Sequence, residues 1–239
     1  MSTMQPFDTK KEYSVLFIGN SYTFFHDMPK AIFEPLARAA GVRVKVTAIT
    51  KGGYTLKKFS NPQDEHGARV FAALEGAGKG AWDVVILQEQ SVLPAAERQE
   101  EFFSAVRDLT VRIRALGAQP ALYATWGRKT GNETLEQYGW TNAEMTQRLA
   151  DAYGRIGAEL DVPVAYVGLA FYDVYQNHPE IELYDPDKTH PSYAGSYLAA
   201  LTMLARIFGV DPTAVPYDGA LPCEVAEVLK VAALRAVEG

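Results

Sequence analysis

The sequence has 239 residues, of which 48% are hydrophobic and 22% are charged, so it can bury a sizeable core and is predicted to form one domain over residues 1–239. Its formal net charge is -6 and it contains no cluster of Lys and Arg, which argues against a nucleic acid partner. No apolar stretch approaches the roughly 20 residues of a membrane-spanning helix, so no membrane partner is expected.

The cysteine content and the first residues bear on cofactors and on location. The one cysteine, Cys223, excludes an intramolecular disulfide and a cysteine-cluster metal site, which fits a reducing compartment. The first ten residues are polar, and the apolar run after them lacks a small-residue cleavage site, so no secretory signal is predicted. We therefore expect a cytoplasmic protein. The sequence does not indicate its oligomeric state.

Apolar runs and turn residues in the first half predict strands that alternate with helices. Residues 15–18 form a continuous apolar run with a β-branched residue at each end, which is typical of a buried strand. Residues 42–49 alternate apolar and polar side chains, which predicts an edge strand with one solvated face. The other predicted elements of this half are a helix over 28–40, a short helix over 68–74 and a buried strand over 83–87.

The second half continues the alternation. Its predicted elements are a helix over 95–116, a strand over 120–124, a loop over 128–140, a helix over 142–160, a strand over 162–167, and helices over 191–208 and 224–237. Strands that alternate with helices favour right-handed crossover connections. The predicted fold is therefore an α/β three-layer sandwich, in which helices cover both faces of a central parallel five-stranded sheet.

Ser21 directly follows the first predicted strand, after Gly19 and Asn20. In open α/β sheets ligands bind at the carboxyl ends of the strands, so a hydroxyl that a tight turn presents there is a candidate nucleophile. The alternative is that Ser21 caps the next helix or stabilises a turn, which is the commoner role of a serine in such a position. This segment alone does not decide between the two.

His190 differs from the other three histidines because its position fits the same edge of the sheet. It lies in the loop that enters the predicted helix over 191–208, and Asp187 precedes it by three residues. A carboxylate at this spacing can accept the imidazole N–H and fix its tautomer. The alternative is a helix cap with a surface charge. No other histidine or cysteine lies at metal-ligand spacing, so no metal site is predicted.

Together these segments resemble the SGNH hydrolase superfamily, also called GDSL-type esterases, from residue 15 to about residue 200. The family shares short sequence blocks: a Gly-Asp-Ser that carries the nucleophile, a single glycine after the second strand, and Asp-x-x-His. In this chain the blocks correspond to the Gly-Asn-Ser of residues 19–21, to Gly53 with Gly52 as the near alternative, and to Asp187 with His190. The resemblance implies the flavodoxin-like SGNH hydrolase fold.

Two departures from the family pattern place the chain in an off-pattern branch. Asn20 stands where the family usually has Asp, and the third block, normally Gly-x-Asn-Asp, reads Gln-Glu-Gln-Ser over residues 88–91. A glutamine amide can donate the same hydrogen bond as the family's Asn. Both Gln88 and Gln90 are therefore candidates for that role, and the position of Gln88 at the strand end favours it slightly.

The resemblance implies a serine esterase that acts on small acyl esters, such as acetyl groups on carbohydrate, without a metal or an organic cofactor. Ser21 would be the nucleophile, His190 the base and Asp187 the residue that orients it. The oxyanion hole would comprise the backbone N–H groups of Ser21 and Gly53 and a side-chain amide, from Gln88 or Gln90.

The substrate is less well defined by the sequence than the chemistry. The partner would be a small-molecule ester, and Tyr22, Tyr54 and Trp126 are predicted to contact it, because aromatic walls suit a sugar ring or an aryl ester. Phospholipid and thioester substrates remain open. An acyltransferase with the same triad and a catalytically silent ligand-binding protein are the alternative functions.

Overall fold

A computed structural model describes residue 8, residues 10–76 and residues 78–238, so both ends of the domain predicted over 1–239 lie outside the described residues. Five parallel strands form one sheet in the order β2-β1-β3-β4-β5. This confirms the predicted parallel five-stranded sheet. The strands are β1 (Glu12–Gly19), β2 (Arg43–Thr50), β3 (Val84–Leu87), β4 (Gln119–Ala124) and β5 (Val164–Tyr166).

Helices connect the strands and follow the last one. No described helix combines the length and the apolar character that crossing a membrane requires. The α-helices are α1 (Ser21–Phe24), α2 (Glu34–Ala39), α3 (Leu56–Phe59), α4 (Glu65–Glu75), α5 (Gln99–Ala115), α6 (Glu133–Tyr138), α7 (Asn142–Leu160), α8 (Val167–Asn177), α9 (Tyr193–Phe208) and α10 (Cys223–Glu238). Shorter turns are the 3-10 helices Phe25–Asp27 and Pro212–Ala214 and the π-helix Met28–Phe33.

Strand β1 supplies side chains to both faces of the sheet, because successive residues of a strand point in opposite directions. Val15 and Phe17 belong to a core that includes residues of α2, α8, α9 and α10. Leu16 and Ile18 belong to a second core that includes residues of α3, α4, α5 and α7. All four side chains are fully buried. The two cores confirm the predicted three-layer arrangement with helices on both faces.

The predicted helix over 28–40 changes from a π-helix to an α-helix at Glu34, one residue before Pro35. Its first part is the π-helix Met28–Phe33, in which the backbone N–H of Glu34 donates to the carbonyl of Pro29. Pro35 has no N–H, so an α-helical hydrogen bond to the carbonyl of Ala31 cannot form there. The wider turn before α2 is therefore a consequence of this proline.

Four α-helices were not predicted: the four-residue helices α1 and α3, and the longer helices α6 and α8. Helix α6 lies within the predicted loop over 128–140; the side chain of Asn132 caps its start and Gly139 ends it with φ +66°. Helix α8 follows β5 without a connecting loop, so the predicted strand over 162–167 is too long. The apolar residues of α8 recur at helical spacing, which could have predicted it: Val167, Ala170, Phe171 and Val174 are all buried.

The strand order places the carboxyl ends of β1 and β3 side by side at the point where the chain changes direction across the sheet. The chain passes from β1 outward to β2 and then returns to β3 on the other side of β1. The loops after β1 and β3 therefore separate and leave a crevice, which is where ligands bind in open parallel sheets. Ser21 follows β1 and Gln88 follows β3 at this point.

Candidate active site

Ser21 begins helix α1 directly after the turn that ends β1. The side chain of Asn20 caps this helix, because its Oδ1 accepts the backbone N–H of Tyr22 at 3.2 Å. Gly19 makes the turn possible: a Cβ there would lie 2.4 Å from Oγ1 of Thr23 and 2.7 Å from Oε1 of Gln88. The half-buried Ser21 hydroxyl is therefore held at the carboxyl edge of the sheet without serving as the helix cap.

His190 and Asp187 meet Ser21 at this edge. Nε2 of His190 lies 2.8 Å from Oγ of Ser21, and Nδ1 of His190 lies 2.5 Å from Oδ2 of Asp187. Oδ1 of Asp187 accepts the backbone N–H groups of Thr189 and His190, both at 2.9 Å. The structure thus brings the three predicted residues together in one chain of hydrogen bonds, and this geometry suits proton transfer from the hydroxyl to the imidazole.

The hydrogen bonds around Asp187 also set its ionisation. Burial pushes the pKa of the carboxyl upward, but the hydrogen bond to the His190 side chain and the two backbone N–H groups outweigh it, so the pKa lies below its usual value. Asp187 is therefore ionised at neutral pH. An ionised Asp187 can accept the Nδ1–H of His190, which leaves Nε2 as the nitrogen able to accept a proton from Ser21.

Phe25 covers one face of the His190 imidazole, a contact that the sequence analysis did not predict. The two rings are stacked, with centroids 4.2 Å apart and planes 4° apart, and Tyr22 meets the imidazole edge-on at 5.7 Å. The two residues after Phe25, His26 and Asp27, have φ values of +55° and +47°. This conformation is uncommon for residues other than glycine, and such strain often accompanies functional sites.

The loop after β2 brings Gly53 to the same edge. Residues 51–54 form a turn in which the N–H of Tyr54 donates to the carbonyl of Lys51 at 3.1 Å. Gly53 has φ +70°, which only glycine adopts at no steric cost, as in a type II turn. Nδ2 of Asn20 donates to the carbonyl of Tyr54 at 3.1 Å and so links this loop to the turn that carries the serine.

Comparison with known proteins identifies the family. No protein-family model and no curated protein matches the sequence. A solved structure of a candidate SGNH hydrolase from Slackia heliotrinireducens is 32% identical, and the match covers 82% of this chain and 100% of that one, with a TM-score of 0.69. The chain belongs to the SGNH hydrolase superfamily.

Two further solved structures share the fold of this SGNH hydrolase at lower identity. A DUF4886 family protein from Bacteroides uniformis is 17% identical with a TM-score of 0.80, and the match covers 95% of both chains. Axe2, an acetylxylan esterase from Geobacillus stearothermophilus, is 18% identical with a TM-score of 0.59, over 82% of this chain and 94% of that one. The α/β architecture and the sheet are thus those of the superfamily.

Asn20, the off-pattern residue of the first block, has a structural role that an aspartate could not fill. It is 2% exposed, and its amide both accepts from Tyr22 and donates to the carbonyl of Tyr54. An ionised aspartate accepts hydrogen bonds but cannot donate one. The amide in this SGNH hydrolase therefore joins the first two sequence blocks.

Replacing Asn20 with Asp should destabilise the fold by about 1 to 3 kcal/mol, because a buried carboxylate would face the carbonyl of Tyr54 without a hydrogen bond. Urea denaturation of the parent and the variant measures this difference. Asn61→Asp is the matched control: Asn61 is exposed, and its Oδ1 accepts from the N–H of Gln63, which an aspartate can also do. Equal stability of both variants would contradict this role for Asn20.

The two glutamines of the third block differ in burial and in hydrogen bonding. Gln88 is buried; its Oε1 accepts the N–H of Asn20 at 2.8 Å and the Thr23 hydroxyl at 2.9 Å, and its Nε2 donates to the carbonyl of Glu89. Both ends of the Gln88 amide are engaged within the turns, which argues against the slight preference for Gln88 as oxyanion donor. Gln90 is half-buried, and its Oε1 accepts the N–H groups of residues 92 and 93, both at 3.0 Å. Its Nε2 has no hydrogen-bond partner among the described residues.

Glu89, between the two glutamines, is a fully buried carboxyl that the sequence analysis did not assign. It accepts the N–H of Leu56 at the start of α3 at 3.1 Å and the N–H of Gln90 at 2.5 Å, so it joins the loops after β2 and β3. Burial raises the pKa of Glu89 to about 8, although these backbone N–H groups counteract part of the rise. At neutral pH the carboxyl is therefore largely protonated.

The stability of the fold should decrease from about pH 5 to about pH 8 on account of Glu89, whose pKa is 4.5 ordinarily and about 8 when buried. In this window the folded protein holds a proton that the unfolded chain has lost, so raising the pH favours unfolding. Glu89→Gln keeps an acceptor oxygen and removes the titration, and should reduce the slope of unfolding free energy against pH by up to roughly 1 kcal/mol per pH unit.

Urea denaturation at several pH values measures these slopes. The matched control is Glu97→Gln, since Glu97 is an exposed residue of the same loop region. The control should keep the slope of the parent. If Glu89→Gln also kept the parent's slope, the protonated state of the buried carboxyl would be refuted.

Two of the three aromatic residues predicted to contact substrate are instead part of the core. Tyr22 is 3% exposed and Trp126 is fully buried. Trp126 is stacked between Tyr22, at 4.5 Å, and Phe171, at 4.0 Å. These two predictions were wrong, because the ring stack fills the space beneath the site. Tyr54 is half-buried beside Gly53 and is the one of the three with exposed surface at the edge.

Proposed function

We propose that this SGNH hydrolase is a serine esterase that cleaves small acyl esters through an acyl-enzyme on Ser21. The observation that supports it is the unbroken chain of hydrogen bonds from Oγ of Ser21 to Nε2 of His190, 2.8 Å, and from Nδ1 of His190 to Asp187, 2.5 Å. A Ser–His–Asp chain with these distances is the arrangement that activates a serine hydroxyl for attack on a carbonyl.

In the first half of the reaction, Oγ of Ser21 bonds to the ester carbonyl carbon and its proton passes to Nε2 of His190. Breakdown of the tetrahedral intermediate breaks the bond between that carbon and the alcohol oxygen, which takes the proton from His190. A water molecule then attacks the acyl-enzyme in the same way and releases the acid and Ser21. Asp187 and the stacked ring of Phe25 both favour the imidazolium that forms in each half, the first as an anion and the second through its π face.

The oxyanion would be stabilised by the backbone N–H groups of Ser21 and Gly53 and by the side chain of Gln90. Gln90 is favoured over Gln88 because its amide nitrogen has no partner among the described residues, while its oxygen is held by two backbone N–H groups. Gly53 contributes from a turn in which a Cβ would have open space around it, so ligand can approach the backbone there.

Gln90→Glu tests this assignment, because a carboxylate keeps the acceptor that holds the turn and removes the donor. We expect kcat to fall by about 10²- to 10³-fold, the usual loss for one oxyanion donor, with KM changed little. The comparison variant is Gln90→Asn, which retains a donor on a shorter side chain and should lose less. A Gln90→Glu enzyme with the kcat of the parent would exclude Gln90 from the oxyanion hole.

The acyl group is proposed to be acetyl, on a carbohydrate. Axe2 shares the fold and is described as an acetylxylan esterase, which is the reason to test acetyl esters first. The half-buried Tyr54 next to Gly53 offers an aromatic surface of the kind that sugar rings contact.

The function itself is tested with the purified protein. It should hydrolyse p-nitrophenyl acetate and short-chain homologues, and a fluorophosphonate probe should label it at Ser21. A protein that neither turns over these esters nor reacts with the probe would refute the proposed esterase and favour a silent binding protein on the same fold.

A further inference from the structure

Arg128 is a nearly buried cation without a carboxylate partner. Its side chain lies just beyond β4, and the residue is 9% exposed. Nη2 donates to Oγ of Ser91 at 2.8 Å and Nη1 donates to Oγ1 of Thr189. No Asp or Glu of the described residues forms an ion pair with it, and its Nε has no hydrogen-bond partner among them.

This arrangement is costly in free energy because the cation is nearly buried. Other arginines without a carboxylate partner among the described residues, such as Arg43, Arg69 and Arg148, are exposed to water. Five of the more exposed arginines do have carboxylate partners: Arg38, Arg98, Arg107, Arg112 and Arg235. Two neutral hydroxyls replace less of the water around a guanidinium than a carboxylate would, and buried charges are normally paired. A counter-charge for Arg128 would therefore have to come from outside the described residues.

The carboxylate nearest to it along the hydrogen-bonded network is already occupied. Asp187 precedes the Thr189 that Arg128 contacts by two residues, but its oxygens accept the backbone N–H groups of Thr189 and His190 and the imidazole of His190. Both carboxylate oxygens of Asp187 are thus engaged by the loop and by the proposed catalytic histidine, so Asp187 does not serve as the counter-charge of Arg128.

Arg128 also contacts residues that adjoin the proposed nucleophile and base in the chain. Its guanidinium carbon is 5.8 Å from the ring centroid of Tyr22, the residue after Ser21, and that ring is 5.7 Å from the His190 imidazole. Its two hydroxyl partners belong to the loops that flank the serine, since Ser91 follows Gln90 and Thr189 precedes His190. The buried hydroxyl of Tyr22 is a second polar atom that has no hydrogen-bond partner in the described part of the chain.

We propose that Arg128, with the Ser91 and Thr189 hydroxyls, binds an anionic group of the substrate, so that this enzyme prefers esters carrying a carboxylate or a similar anion near the scissile bond. The inference rests on the proposed esterase function and narrows its substrate class. An anion at this position would receive charge-assisted hydrogen bonds from the guanidinium, which a neutral group of the same shape could not match in strength.

Two acetyl esters of matched shape test the preference: 3-acetoxybenzoate, which is anionic, and 3-acetoxybenzamide, which is neutral. Arg128→Gln should lower kcat/KM for the anionic ester by about 10- to 100-fold more than for the neutral one, the range expected for a charge-assisted hydrogen bond. Arg128→Lys should keep part of the preference, because it retains the charge. Comparing each variant with the parent cancels the different reactivities of the two esters.

Arg148→Gln is the matched control, because Arg148 is exposed and lies over the ring of Trp140 rather than at the site; it should leave the ratio of the two kcat/KM values unchanged. Thermal melts check that the Arg128 variants fold. An equal loss of kcat/KM for both esters in Arg128→Gln would overturn the anion site. Arg128 would then have only the structural role of linking the loops of Ser91 and Thr189 by hydrogen bonds.

Binding without turnover separates this inference from the esterase proposal. Calorimetry with Ser21→Ala protein should detect tighter binding of 3-acetoxybenzoate than of 3-acetoxybenzamide, and the difference should disappear in the Ser21→Ala, Arg128→Gln double variant. This result would support the anion site even if the parent turned over neither ester. Equal binding of the two compounds to Ser21→Ala would refute it, whatever the esterase assay gave.

Discussion

Ser21→Ala should lower kcat for p-nitrophenyl acetate by about 10⁶-fold while the protein still folds, since removing a catalytic serine costs about that much in enzymes with this chain of residues. The one side-chain hydrogen bond of the Ser21 hydroxyl among the described residues is to Nε2 of His190. Asn20 rather than Ser21 caps helix α1, so alanine at the first helical position removes no cap.

The matched control for this prediction is Ser104→Ala, on the exposed surface of α5, which should leave kcat unchanged. Circular dichroism melts of both variants establish that folding is retained. Ester turnover that survived in folded Ser21→Ala protein would assign the nucleophile elsewhere. Loss of fluorophosphonate labelling in the same variant would independently locate the reactive hydroxyl.

The sequence predicted those features that local patterns determine. Strand β1 and the turn after it follow from a buried apolar run that ends in Gly-Asn-Ser. The parallel direction of the strands follows from their alternation with helices. The spacing of Asp187 and His190 predicted their hydrogen bond as one of two alternatives, because residues three apart in a turn can reach each other. The rule that strand ends share one edge applies to Ser21 but not to His190, because helix α8 separates His190 from β5; their contact depends on the path of the loop after that helix.

The features that the sequence could not determine depend on where side chains point across distant loops. Gln88 and Gln90 are only two positions apart. Gln88 is nevertheless buried and accepts the N–H of Asn20, whereas Gln90 is half-buried and accepts the N–H of Val92. Trp126 follows a strand end as a ligand-binding residue would, but its ring completes a stack in the core. Arg128 reads as one polar residue in a loop, and its contact with Thr189, 61 residues away, belongs to the tertiary structure.

Asp187→Asn should lower kcat by about 10⁴-fold, because an amide facing Nδ1 of His190 favours the wrong imidazole tautomer. In the parent, Oδ2 of Asp187 accepts from Nδ1 at 2.5 Å, and Nε2 is left free to accept the proton of Ser21. The amide nitrogen of Asn would instead donate to Nδ1 and place the imidazole proton on Nε2. Steady-state kinetics with p-nitrophenyl acetate between pH 6 and pH 9 measures the loss.

The loss should be constant over that range, because the pKa of Asp187 lies below its ordinary value of 3.8 and the parent's carboxylate stays ionised throughout. The stability that this carboxylate contributes is present above its ordinary pKa and is lost only as the pH falls through the lower, folded-state value. Asp185→Asn is the matched control: it removes one charge from the same loop, where Asp185 contacts His190 only through its backbone N–H, and should change kcat by less than about tenfold. If the two variants lost activity equally, the loop's total charge rather than the tautomer of His190 would explain the effect, and Asp187 would have no specific part in the proton transfer.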